Sequence, residues 1–153
     1  MTKLEYIAKE LTARRQTITT AESCTGGLLA AELTSIAGSS AYFQRGFITY
    51  SNQSKTQMLT VNANTIRHYG AVSEETAREM ALGALVATRN DYALSITGVA
   101  GPMAARKNRP LAPYGLVLRP SSAFGQKCTV LKATATKFAI KPYNTHSPFW
   151  NII

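Results

Sequence analysis

QTITTAESCTGGLLAAELTSIA, residues 16–37, is the stretch on which the fold turns. QTITT (16–20) is a β-branched run and predicts a strand. LLAAELTSIA (28–37) is apolar over nearly one whole face and contains no breaker, which predicts a helix. AESCTGG (21–27) joins the two as a polar turn ending in glycines.

Working outward from there, Leu4, Ile7, Ala8 and Leu11 recur at i, i+3, i+4 and i+7, so residues 2–15 predict an amphipathic helix. On the other side GSSAYFQR (38–45) is a turn-rich connection and GFITYS (46–51) a second strand. Ser51 or Asn52 can cap a short helix through Met58. ANTIRHYG (63–70) reads as a further helical turn closed by Gly70. SEETAREMALGALVATRN (73–90) is a long helix: Ser73 caps it, Glu74 and Glu75 suit its positive end, and Arg89 with Asn90 closes it. YALSITG (92–98) is a buried strand that runs into the glycine loop GVAGP. Strands alternate with helices, which argues an α/β layered sheet.

From Met103 the chain changes character. Residues 1–102 carry nine Lys and Arg against eight Asp and Glu, whereas residues 103–153 carry eight against none. MAARKNRPLAPYGLVLRPSSAFG (103–125) has prolines at 110, 113 and 120 and no sustained period. KCTVLKATATKFAIK (127–141) offers a strand pair with no turn before it to prepare it. The formal net charge of +9 therefore comes almost wholly from the tail and says nothing about the ordered part. Its aromatics (Phe124, Phe138, Tyr143, Phe149 and Trp150) are scattered rather than spaced for base stacking. Any nucleic-acid binding by this tail would be non-specific, and that reading ranks last.

A chain of 153 residues suits a single domain with one hydrophobic core. No apolar run approaches the roughly 18–20 residues of a membrane span, so no membrane partner is expected. MTKLEYIAKELTARR (1–15) spreads its charges and lacks the apolar region of a signal peptide. Cys24 and Cys128 suggest no disulfide framework and fit a reducing cytoplasm. His68 and His146 are isolated, so no metal site is expected. Neither a Walker loop nor a Rossmann fingerprint is present.

Ligands in α/β sheets sit beyond the carboxyl ends of the strands. By that rule three loops converge: ESCTGG after the first strand, YSNQSK after the second and GVAGP after the third. They supply the hydroxyls of Ser23 and Thr25, the phenol of Tyr50, the amine of Lys55 and two glycine loops. Gly26 and Gly27 open a helix, so their N–H groups could hold an anion. Ser23 and Lys55 could form a nucleophile–base pair if Lys55 is desolvated enough to be neutral. The bland alternative is that these loops carry Ser, Thr and Gly for caps and turns alone, and that Lys55 is solvated.

TTAESCTGGLLAAELTSIAGSSAYFQRGFITYSNQSK, YGAVSEETAREMA and SITGVAGP, in that order, resemble the CinA C-terminal-domain family, the nicotinamide-nucleotide amidohydrolases. The resemblance covers residues 1–102 and implies a layered α/β/α sheet. It also implies a cytoplasmic enzyme that hydrolyses the carboxamide of nicotinamide mononucleotide to nicotinic acid mononucleotide and ammonia, with no cofactor. By motif, Ser23 resembles the nucleophile and Lys55 its base, while Tyr50 positions the substrate or relays a proton. Thr25, Gly26 and Gly27 of CTGG, with Gly98, Ala100 and Gly101 of GVAGP, would hold the phosphoribosyl group and the oxyanion. The division of roles between Ser23 and Thr25 stays open, as does assembly into a homo-oligomer.

The resemblance breaks at Met103. The family continues with an Asp-Gly-Gly turn, a Lys-Pro, a Gly-Thr-Val-Trp strand, a later Arg and a closing helix. Back-translated and read one base earlier, Met103-Ala104-Ala105 permits Asp-Gly-Gly, and Leu111 to Gly115 permits Gly-Thr-Val-Trp at the family's spacing. Residues 103–153 therefore read as an out-of-frame family C-terminus, an aberrant basic tail expected to be poorly ordered, beside a truncated domain over 1–102. The expected consequences are an unpaired sheet edge, one uncovered face and impaired or lost activity. A catalytically inactive nucleotide-binding module is the second reading.

Overall fold

The structure, a computed structural model, describes residues 1–98 throughout and beyond them the backbone of two strands, 114–118 and 128–132. Five strands form one sheet in the order β2-β1-β3-β4-β5: β1 (Ile18–Glu22), β2 (Phe43–Ile48), β3 (Tyr92–Thr97), β4 (Tyr114–Leu118) and β5 (Cys128–Lys132). β1 runs parallel to both β2 and β3, whereas β3–β4 and β4–β5 are antiparallel. Helices α1 (Lys3–Ala13) and α2 (Leu28–Thr34) pack on one face. Helices α3 (Asn52–Leu59), α4 (Ala63–Tyr69) and α5 (Glu74–Thr88) cover the other.

Two apolar cores, one per face, follow from the period of two along each strand. Ile18, Leu94 and Ile96 join Leu4, Ala8 and Leu11 of α1 and Leu29 and Leu33 of α2. Ala21 and Ala93, one register position over, join Leu59, Val61, Met80, Ala81 and Ala84. The same alternation governs polar residues. It turns the Glu22 side chain toward α2 and sends Ser23, the next residue, toward α3.

The helices start where their caps dictate. Thr2 and Glu5 form a reciprocal capping box at α1, and Ser51 with Ser54 does the same at α3. Ser73 accepts from the Thr76 amide at the head of α5, whose first turn carries Glu74 and Glu75. Arg89 closes α5 in the left-handed region, at φ 58°.

Three sequence expectations shift. β1 extends to Glu22 rather than ending at residue 20, because Glu22 pairs with Ile48 on one side and Ile96 on the other. β2 lies at 43–48, not 46–51. Most of this edge strand faces water, so its apolar alternation is weak. The β3 edge, expected to lie open, is occupied by β4, with Leu94 opposite Val117 and Ile96 opposite Gly115. β5 pairs with β4 in turn, so the tail contributes two strands to the sheet. The remainder of the 103–153 segment lies outside the described residues.

Gly83 marks a close approach of α5 to the backbone of α3. A Cβ there would overlap the backbone carbonyl of Leu59, and backbone cannot swing aside. On an exposed helix Gly→Ala gains up to about 1 kcal/mol of propensity. Here overpacking of about 3 kcal/mol outweighs it. Gly83→Ala is therefore expected to lower the denaturant midpoint, and an unchanged or raised midpoint would contradict this packing.

Candidate active site

Ser23 follows β1, Thr49 and Tyr50 follow β2 and Gly98 follows β3, so all four sit at the carboxyl end of the parallel strands. The Ser23 amide donates to Ile96 O (2.9 Å), which pins the serine against β3. Lys55 projects from the first turns of α3, whose buried face consists of Lys55 and Leu59. Its Nζ donates to Ser23 Oγ at 2.9 Å, to Thr49 O at 2.8 Å and to Tyr50 O at 3.4 Å. At 1% exposure the amine is shut away from water, and Ser23 is 6% exposed.

Burial pushes the Lys55 pKa below the ordinary lysine range, with the neighbouring Cys24 pulling the other way. Among the described residues no carboxylate pairs with this lysine. Its three partners suit both protonation states. An ammonium has three N–H donors for two carbonyls and a hydroxyl. A neutral amine keeps two N–H groups for the carbonyls and turns its lone pair to the hydroxyl, which then donates. Losing the proton needs only a rotation of the serine O–H.

The turn from Ser23 to Gly27 is held by Glu22. Its carboxylate is fully buried and accepts from the amides of Gly27 (3.2 Å), Leu29 (3.0 Å) and Ala30 (2.9 Å). Helix α2 has no side-chain cap of its own at Gly27, and this carboxylate fills that role. The Gly26 amide donates to Ser23 O (3.1 Å). The N–H groups of Gly26 and Gly27, expected to hold a ligand anion, are thus already engaged in this conformation.

Thr25 is 4% exposed, and its hydroxyl has no partner among the described residues. Tyr50 is 69% exposed; its carbonyl, not its phenol, meets the lysine. Gly98 is partly buried at the end of β3, while Ala100 and Gly101 lie outside the described residues. Burial raises the Cys24 thiol pKa, opposed by smaller pulls from nearby amides and Lys55. Glu22 is the site residue that sequence reasoning missed. The available signal was an acidic residue just ahead of a glycine turn and a helix with no Ser, Thr, Asp or Asn at its cap position.

Fold and site together define an α/β protein with a buried lysine–serine pair at the strand ends. The profile described as the CinA C-terminal domain matches residues 2–137, and the chain belongs to that family. Nicotinamide-nucleotide amidohydrolase PncC of Escherichia coli (strain K12) is 54% identical over 107 residues, 70% of this chain. That match spans 65% of the relative's own length. The protein of the same description from Enterobacter agglomerans is 50% identical over 143 residues, 88% of this chain and 87% of the relative. Among solved structures, the competence damage-inducible protein A of Klebsiella pneumoniae superposes with a TM-score of 0.73 at 32% identity, covering 88% of this chain and 83% of that one. The competence/damage inducible protein CihA of Agrobacterium tumefaciens gives 0.74 at 37% identity, covering 88% and 82%. Among the described residues no helix is long and apolar enough to cross a membrane.

Proposed function

We propose that this scaffold hydrolyses the carboxamide of a pyridine nucleotide, with nicotinamide mononucleotide as substrate, through Ser23 and Lys55. The observation that carries the reading is the 2.9 Å contact between a serine hydroxyl and a lysine buried to 1% exposure. The names of the relatives supply the substrate class. In the first half-reaction Ser23 Oγ attacks the carboxamide carbon and its proton passes to neutral Lys55. The C–N bond then breaks, and Lys55 returns the proton to the leaving ammonia. In the second, Lys55 takes a proton from water, which attacks the ester and regenerates Ser23. The product is the carboxylate nucleotide.

The oxyanion needs fixed donors. The amides of Cys24 and Thr25 are the two in the turn that bond no oxygen acceptor among the described residues. They are assigned this role, and the unpartnered Thr25 hydroxyl is assigned to the substrate. Tyr50, exposed at the rim, is assigned to substrate positioning.

The tail enters as a separate proposal: residues 103–153 are an out-of-frame C-terminus, and turnover is impaired in this chain. The absence of acids and the shadow Asp-Gly-Gly and Gly-Thr-Val-Trp support it. The family match out to residue 137 weighs the other way. The nucleotide sequence at codon 102 decides between them.

The base must be neutral to act, so the rate is expected to fall as pH drops through the Lys55 pKa, below the ordinary lysine value of about 10.4. Folding stability carries the same sign. The unfolded chain holds this proton more tightly, so stability rises with pH between the folded and unfolded values. Ammonia release from nicotinamide mononucleotide, followed against pH, tests this. A limb that persists in Lys55→Arg would sink the lysine-base reading.

A further inference from the structure

We propose that Glu22 is a positioning residue for Ser23, an inference that rests on the Ser23–Lys55 reading. The geometry is a clamp with two ends on one residue. Through its side chain Glu22 grips the amides of Gly27, Leu29 and Ala30, fixing where the turn after Ser23 must end. Through its main chain it accepts from the Thr49 amide at 2.7 Å. Thr49 in turn offers its own carbonyl to Lys55 Nζ at 2.8 Å. The residue before the nucleophile therefore ties helix α2 on one sheet face to the segment that holds the base on the other.

The clamp also settles which charges meet. Lys55 and Glu22 are both buried at the carboxyl end of β1, yet no ion pair forms between them. Both carboxylate oxygens are committed to N–H donors, and the lysine to a hydroxyl and carbonyls. The clamp sets the turn that carries the nucleophile and, through Thr49, the carbonyl that holds the base.

Glutamine at this position has one acceptor oxygen and turns an NH₂ against at least one backbone N–H. Aspartate keeps the charge but withdraws it by one methylene. Both variants should loosen the turn without touching Ser23 or Lys55.

The test uses the full chain and an alkyl phosphonofluoridate probe. Ser23 Oγ attacks phosphorus, the P–F bond breaks, fluoride leaves and the serine proton passes through Lys55 to water. Intact-mass and peptide analysis give the site, the maximal labelling rate and the half-saturating probe concentration, with thermal unfolding run alongside. Glu22→Gln and Glu22→Asp are expected to label at least tenfold more slowly at saturation. Half-saturation should stay within about twofold of the wild type, and unfolding should remain cooperative. Full-rate labelling of either folded variant overturns the proposal. So does a loss carried by half-saturation instead of maximal rate, or the loss of cooperative unfolding in both, which would make Glu22 a stability residue alone. Wild-type protein that labels elsewhere than Ser23, or not at all, removes the nucleophile reading itself and this inference with it.

Discussion

In the frame-restored chain, Ser23→Ala is expected to cut carboxamide hydrolysis by about a thousandfold or more while leaving the fold intact. The magnitude follows from the serine supplying the bond-forming atom, and among the described residues its hydroxyl is the side-chain partner of Lys55 Nζ. The structural cost is small by comparison. Ser23 is held in the sheet by its main chain, which the substitution spares. Lys55 loses one of three partners and keeps Thr49 O and Tyr50 O, a penalty of roughly 1–2 kcal/mol. Ammonia release and thermal unfolding, measured on the same preparation, separate the two effects. Retention of more than a tenth of the activity in a folded Ser23→Ala protein would move the nucleophile elsewhere in the turn, first to Thr25.

Inserting one base after codon 102 is expected to raise turnover by about a hundredfold. Misplacing groups that frame a reacting centre by an ångström costs on that order. The restored chain would carry the Asp-Gly-Gly turn directly after GVAGP, the Gly-Thr-Val-Trp strand, the later Arg and the closing helix. Its unfolding is expected to be more cooperative as well, because the closing helix buries apolar surface against the sheet. Unrestored protein that turns over as fast as the restored one would make the tail a working part and end the frame-slip account. Restored protein that folds and binds the nucleotide without turnover would favour the inactive binding module.

The alternation of strands and helices was legible because α1 and α5 carry strong apolar stripes and capping residues, and β3 is buried. The approach of Ser23 to Lys55 was legible for a different reason. Both follow parallel strands, and parallel strands deliver their loops to one end of the sheet. What escaped was decided by tertiary contacts. β2 is an edge strand with most residues in water, so its period is faint and it begins three residues ahead of the predicted strand. Glu22 looks like a loop acid in sequence and becomes a strand end only once Ile48 and Ile96 flank it. β4 pairs with β3 through backbone bonds that need no apolar periodicity, which is why the edge was expected to stay open.

The nucleophilic role of Ser23 can be read most directly by acid-quenching the frame-restored chain during turnover of nicotinamide mononucleotide and mapping the trapped adduct by peptide mass spectrometry. The account predicts an acyl ester on Ser23, absent from Ser23→Ala. Steady turnover with Ser23 unmodified, or an adduct on Thr25 or Cys24, would contradict it.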